Sequence, residues 1–156
     1  MRKCRTRGRE RAYPWGVPGA PGRVLVVDDS QVIRQLIRVN LELDGFEVET
    51  ASDGAECLEA VLLFQPDAIT LDLAMPRLDG LRTVARLRHD PRTADIPLVL
   101  VSASVLVRDL PCGDGGVDAV LAKPFEPAEL VRLVRRLCDE GRPPAVRLAG
   151  PRTLAP

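Results

Sequence analysis

A chain of 156 residues has room for one hydrophobic core of ordinary size, and 46% apolar with 28% charged residues is the balance of a globular protein. No apolar run approaches the roughly 18 residues of a membrane span, the basic N-terminus lacks the apolar stretch of a secretory signal, and Cys4, Cys57, Cys112 and Cys138 form neither a CxxC pair nor a metal-ligand cluster. The expectation is a cytoplasmic protein with free thiols and no membrane insertion.

The net charge of zero is unevenly spread: residues 1–22 carry +5, residues 142–156 carry +3, and the segment between them carries −8. Both flanks are rich in Pro and Gly, as in PWGVPGAPG and RPPAVRLAGP, and lack apolar periodicity. Residues 1–22 therefore read as a basic disordered arm and 142–156 as a disordered tail, with one acidic domain over 23–141.

Within that domain RVLVVDD, starting at Arg23, is a short apolar run suited to a strand buried on both faces. The period then changes. Val32, Ile33, Leu36, Ile37, Leu41 and Leu43 form a helical stripe, with Ser30 able to cap its start and Gly45 its end. FEVETA reads as a second strand, DGAECLEAVLLFQP as a helix closed by Pro66, and AITLD as a third strand. A third helix from Asp79 carries Leu81, Val84, Ala85 and Leu87, and PLVLVSA, from Pro97 to Ala103, is the fourth strand. Pro111, Gly113, Gly115 and Gly116 should reduce the next helix to a short or broken turn. AVLA then makes a fifth strand, and the final helix carries Leu130, Val131, Leu133, Val134 and Leu137. This alternation predicts an α/β fold with a parallel sheet.

In such a sheet the crevice lies beyond the carboxyl ends of the strands. The residues leaving the strands are Asp28 and Asp29, Asp72, Ser102 and Lys123. Three converging carboxylates repel one another unless a cation sits among them, and an all-oxygen set without His or Cys favours Mg²⁺. Ser102 and Lys123 would face the opposite side of a bound phosphoryl group, and Asp72 would be the nucleophile.

VLVVDDS, TLDLAMPRLDG, LVSA and AKPF, in that order, resemble the receiver domain of two-component response regulators over residues 23 to 141. The resemblance implies a flavodoxin-like, doubly wound five-stranded sheet of order 2-1-3-4-5 with helices on both faces. It implies that Asp72 accepts a phosphoryl group from a sensor histidine kinase or histidine phosphotransfer protein. It further implies that Asp29 binds Mg²⁺ directly and Asp28 mainly through water, with Asp72 and the backbone carbonyl of Ala74 completing the ligands. Ser102 would hydrogen-bond the phosphoryl group, Ala103 would leave room for it, Lys123 would pair with it, and Pro124 would follow a cis peptide. The Met75-Pro76 turn with Asp79-Gly80 would redirect the chain without covering the nucleophile. Such a protein is a phosphoacceptor and not an enzyme, beyond self-catalysed phosphotransfer and slow autodephosphorylation.

Some positions depart from the family. Val120 replaces the Tyr or Phe often found three residues before the lysine, which removes the usual aromatic rotamer as a readout. Ala74 and Ser104, where the family often tunes hydrolysis, offer no carboxylate or carboxamide to orient water, so a long-lived phosphoryl group is expected. His89, in a polar helix end, reads as exposed and not as a phosphodonor, and Asp79 as a helix cap. With no output domain expected after the final helix, the reading is a stand-alone receiver whose phosphorylation alters binding to a downstream protein. The alternative is a degenerate receiver that binds partners constitutively without phosphorylation. The basic arms offer nucleic acid only non-specific, salt-sensitive attraction.

Overall fold

The computed structural model describes residues 22–73, 80–102 and 116–141. Strands β1 (Arg23–Val27), β2 (Glu47–Ala51), β3 (Ala68–Asp72), β4 (Leu98–Ser102) and β5 (Ala119–Ala122) form one sheet of order β2-β1-β3-β4-β5, with every neighbouring pair parallel. Helices α1 (Gln31–Leu43), α2 (Gly54–Phe64), α3 (Gly80–His89) and α4 (Pro127–Glu140) cover its two faces. This is the flavodoxin-like order expected from the resemblance. The short or broken helix expected between β4 and β5 falls on residues 103–115, outside the described residues, as do residues 1–21 of the arm and the tail.

The apolar runs of β3 and β4 are buried along their whole length, because helices cover both sides of the central strands. Alternate residues separate into two cores. Val24, Val26, Val99, Val101 and Leu121 meet Ile37 and Leu41 of α1 and Leu130, Val134 and Leu137 of α4. Leu25, Val27, Ile69, Leu71, Leu98 and Leu100 meet Cys57 and Val61 of α2 and Val84 and Leu87 of α3.

The predicted ends of α1 are present. Ser30 Oγ accepts from the Ile33 N–H at 3.3 Å. At the other end Gly45, with φ of +98°, donates to the Glu42 carbonyl while the Phe46 N–H donates to that of Leu41, the paired bonds of a Schellman motif. The apolar stripe is buried along one side only. Ile37 and Leu41 are buried and Ile33 partly so, whereas Val32 and Leu43 are 77% and 81% exposed and Leu36 also faces out. The helix carries two apolar rows, and the sheet buries one of them. Leu81 and Ala85 of α3 likewise turn outward, and Gly80 and Thr83 join Val84 and Leu87 inside.

At the sheet edge opposite the carboxyl ends, the Arg88 and Asp118 side chains are 5% and 0% exposed and bonded at 2.8 Å. Arg88 also donates to the carbonyls of Gly116, Ala94 and Ile96, and Asp118 accepts from the Leu98 N–H. One buried ion pair thus joins α3 to the starts of β4 and β5.

Candidate functional site

At the carboxyl ends of β1 and β3, where strand order reverses, the carboxylates of Asp28, Asp29 and Asp72 come together, one oxygen of each lying within 4.8 Å of the others. Asp28 is 1% exposed and Asp72 6%, while Asp29 faces solvent. Lys123, just beyond β5, sets its Nζ 3.1 Å from Asp28 Oδ2 and 3.6 Å from Asp72 Oδ1. The Lys123 N–H donates to the Ser102 carbonyl at 2.9 Å, and the Lys123–Pro124 peptide is cis. Ser102 is buried at the end of β4, one register step past Val101, the partner of Asp72. Ala74, Ala103 and Ser104, with Met75, Pro76 and Asp79, lie outside the described residues.

Burial and then the charge of Asp28 push the Asp72 carboxyl up to about 6, with Lys123 pulling the other way and Asp29 adding to the rise. Two negative groups held beside a nearly buried third are unfavourable without a counter-ion. An all-carboxylate set of this size suits a hard divalent cation such as Mg²⁺, which prefers oxygen donors and keeps part of its water shell.

Arg34 carried no functional signal in the sequence, and Gly80 only that of the Asp79-Gly80 turn. Asp28 is held by the Ser30 N–H on Oδ1 at 2.9 Å, by Arg34 Nη1 on its carbonyl at 2.7 Å, and through its own N–H to the Ala51 carbonyl at 3.2 Å. Gly80 lies so close beneath β3 that a Cβ there would be 2.5 Å from the Asp72 carbonyl oxygen and 2.7 Å from Leu73 Cα. Its N–H donates to the Leu73 carbonyl at 2.8 Å. The glycine lets the start of α3 pack against the end of β3 directly behind the nucleophile, where the Asp79-Gly80 pair was expected to redirect the chain. His89 is exposed, as expected. Val120 is half-buried against the core that includes Leu98 and Leu100.

The family model of the response regulator receiver domain matches residues 24–135. A DNA-binding dual master transcriptional regulator, RpaA, of Synechocystis is 41% identical over 116 residues, covering 74% of this chain and 48% of that protein. The response regulator MprA of Mycobacterium leprae is 40% identical over 122 residues, covering 78% of this chain and 53% of that one. Among solved structures, the chemotaxis response regulator CheY4 of Vibrio cholerae superposes with a TM-score of 0.68 at 33% identity, covering 74% of this chain and 97% of its own. A signal receiver domain of a histidine kinase from Syntrophus aciditrophicus gives 0.70 at 29% identity, covering 76% and 91%. The chain belongs to the response regulator receiver family and carries that family's acidic phosphoacceptor cluster. It spans about half the length of the curated relatives it matches. Among the described residues no helix is long and apolar enough to cross a membrane.

Proposed function

We propose that residues 23–141 form a phosphorylation-switched binding unit in a two-component or phosphorelay pathway, with Asp72 as acceptor. The observation that carries this reading is the cluster itself: a nearly buried aspartate beside two more carboxylates, with a lysine ammonium 3.6 Å from it and 3.1 Å from Asp28. Above about pH 6 Asp72 is ionised and nucleophilic. One of its oxygens attacks the phosphorus of a phosphohistidine on a sensor kinase or phosphotransfer protein. A P–O bond forms as the P–N bond breaks, the electron pair stays on the imidazole, and the imidazole takes up a proton. The product is an acyl phosphate on Asp72.

Asp29, Asp72 and the Ala74 carbonyl would hold Mg²⁺, with Asp28 acting mainly through water; the bound ion would neutralise charge on the transferring oxygens. Lys123 would hold a phosphoryl oxygen, Ser102 would hydrogen-bond another, and Ala103 would leave space for the group. Ala74 and Ser104 supply nothing to orient a hydrolytic water, which favours a long-lived phosphoryl group. Val120 has no aromatic ring to swing, so the change is read out by other means. The result is altered binding to a downstream protein, in the cytoplasm.

The test is phosphotransfer from a small acyl-phosphate donor to the purified chain and to Asp72→Asn, with and without Mg²⁺, read by intact mass. One phosphoryl adduct on the wild type alone, dependent on Mg²⁺, is the expected result. No adduct on a folded wild-type protein would instead favour a constitutive interaction module.

A further inference from the structure

Of the groups that hold Asp28, three are expected at a strand end that feeds a helix: two backbone N–H contacts and the lysine already placed in the site. The fourth is not. Arg34, in the first turn of α1, reaches back six residues to donate from Nη1 to the Asp28 carbonyl at 2.7 Å. That oxygen belongs to the peptide unit joining Asp28 to Asp29, and a planar peptide held at its oxygen fixes the direction in which the next Cα leaves. Asp29 is the exposed member of the trio, so its aim depends on that backbone.

Arg34 also lies where two loops meet. The Asp28 N–H donates to the Ala51 carbonyl, tying the β1–α1 loop to the end of β2. Just beyond, Asp53 Oδ1 accepts from the Glu56 N–H and Glu56 Oε1 accepts from the Ser52 N–H, two side-chain caps at the start of α2. The positive charge of Arg34 reaches Glu56 and helps hold its carboxyl below the usual range, behind the larger effect of the Ser52 hydrogen bonds. The guanidinium is planar, always charged and multiply donating, so it can brace a carbonyl and still place a cation between these two acidic loops.

We infer that Arg34 is a positioning residue for the carboxylate pocket: by bracing the Asp28 carbonyl it sets the peptide from which Asp29 presents its carboxylate, and so raises affinity for a divalent cation it does not touch. The inference rests on the proposed Mg²⁺-assisted acceptor chemistry for its purpose, but its test reads cation affinity directly.

Mg²⁺ is titrated calorimetrically into the full chain and into Arg34→Ala, Arg34→Lys, Arg34→Gln and Arg38→Ala, at a temperature where circular dichroism shows each folded. Arg38 is on the same helix and pairs with Glu42 on its surface, so it controls for a general loss of charge. Arg34→Ala is expected to weaken Mg²⁺ binding by about ten- to a hundredfold, the usual effect of removing a group that orients metal ligands. Lys and Gln, which keep a donor, should recover part of the loss, and Arg38→Ala should stay within about twofold of wild type. Equal affinity in Arg34→Ala and wild type, or an equal loss in Arg38→Ala, overturns the inference. If Arg34→Ala does not fold, the Lys and Gln variants decide: affinity in both equal to wild type overturns it, and a graded loss supports it. Acyl-phosphate labelling of the same proteins separates the two readings. A wild type that binds Mg²⁺ but takes no phosphoryl group ends the functional reading and leaves Arg34's role intact; a labelled wild type with an unaffected Arg34→Ala does the reverse. A wild type that binds no Mg²⁺ ends both.

Discussion

Asp72 sits in surroundings that set both its reactivity and its effect on the fold. Its carboxyl is raised to about 6 by burial and by Asp28, so proton binding favours the folded chain. That contribution is complete below the ordinary carboxylate range, near pH 4, and is lost as pH rises through 6, where the folded protein must hold a charge the unfolded chain would solvate. In metal-free buffer at pH 7.5, Asp72→Asn should therefore be more stable than wild type by about 1–3 kcal/mol. Thermal unfolding followed from pH 7.5 down to 4 should show the difference vanish, and Mg²⁺ should shrink it at the higher pH. The meeting of Asp28, Asp29, Asp72 and Lys123 was legible because each leaves the end of a recognisable strand. Arg34 was not: an arginine in the first turn of an amphipathic helix looks the same whether it faces water or a carbonyl six residues earlier.

At the scale of elements, the joint between β3 and α3 depends on one missing atom. Gly80→Ala would drive a Cβ into backbone atoms at 2.5 and 2.7 Å, none of which can swing aside as a side chain would. The joint must shift, with a loss of about 1–3 kcal/mol in stability. Because the displaced carbonyl is that of Asp72, acyl-phosphate labelling should slow even in the folded fraction; both are read from denaturant melts and intact-mass time courses. The Arg88–Asp118 pair makes a different prediction. Arg88→Ala would leave the buried Asp118 carboxylate and the Gly116, Ala94 and Ile96 carbonyls without their guanidinium, and should cost about 3–5 kcal/mol. Denaturant unfolding is the measure. This pair was illegible in the sequence, since its members are 30 residues apart and nothing in their spacing joins them. The exposure of the outer row of α1 was undecided in the sequence for a related reason. Periodicity shows that a helix has apolar rows, and only the position of the sheet decides which row is covered.

For the whole molecule, a carboxylate pocket built from the ends of two strands exists only when the sheet is assembled, so a cation that binds there binds the folded state alone. Mg²⁺ at about a hundred times its dissociation constant should add about 2.7 kcal/mol, on the order of 10 °C in Tm. A chelator should reverse the shift, and Asp29→Asn should blunt it in the same melting experiment. By itself, the order of apolar runs, helical periods and strand-end carboxylates determined the fold class, the strand count and the chemical character of the site. These features are local, and their order along the chain survives without knowledge of contacts. The tertiary structure alone decided which face of α1 is covered, that Arg88 and Asp118 meet in the interior, and that Arg34 braces the Asp28 carbonyl. Each of those depends on which atoms parallel strands and crossing helices bring within a few ångströms, and spacing along the chain carries no record of that.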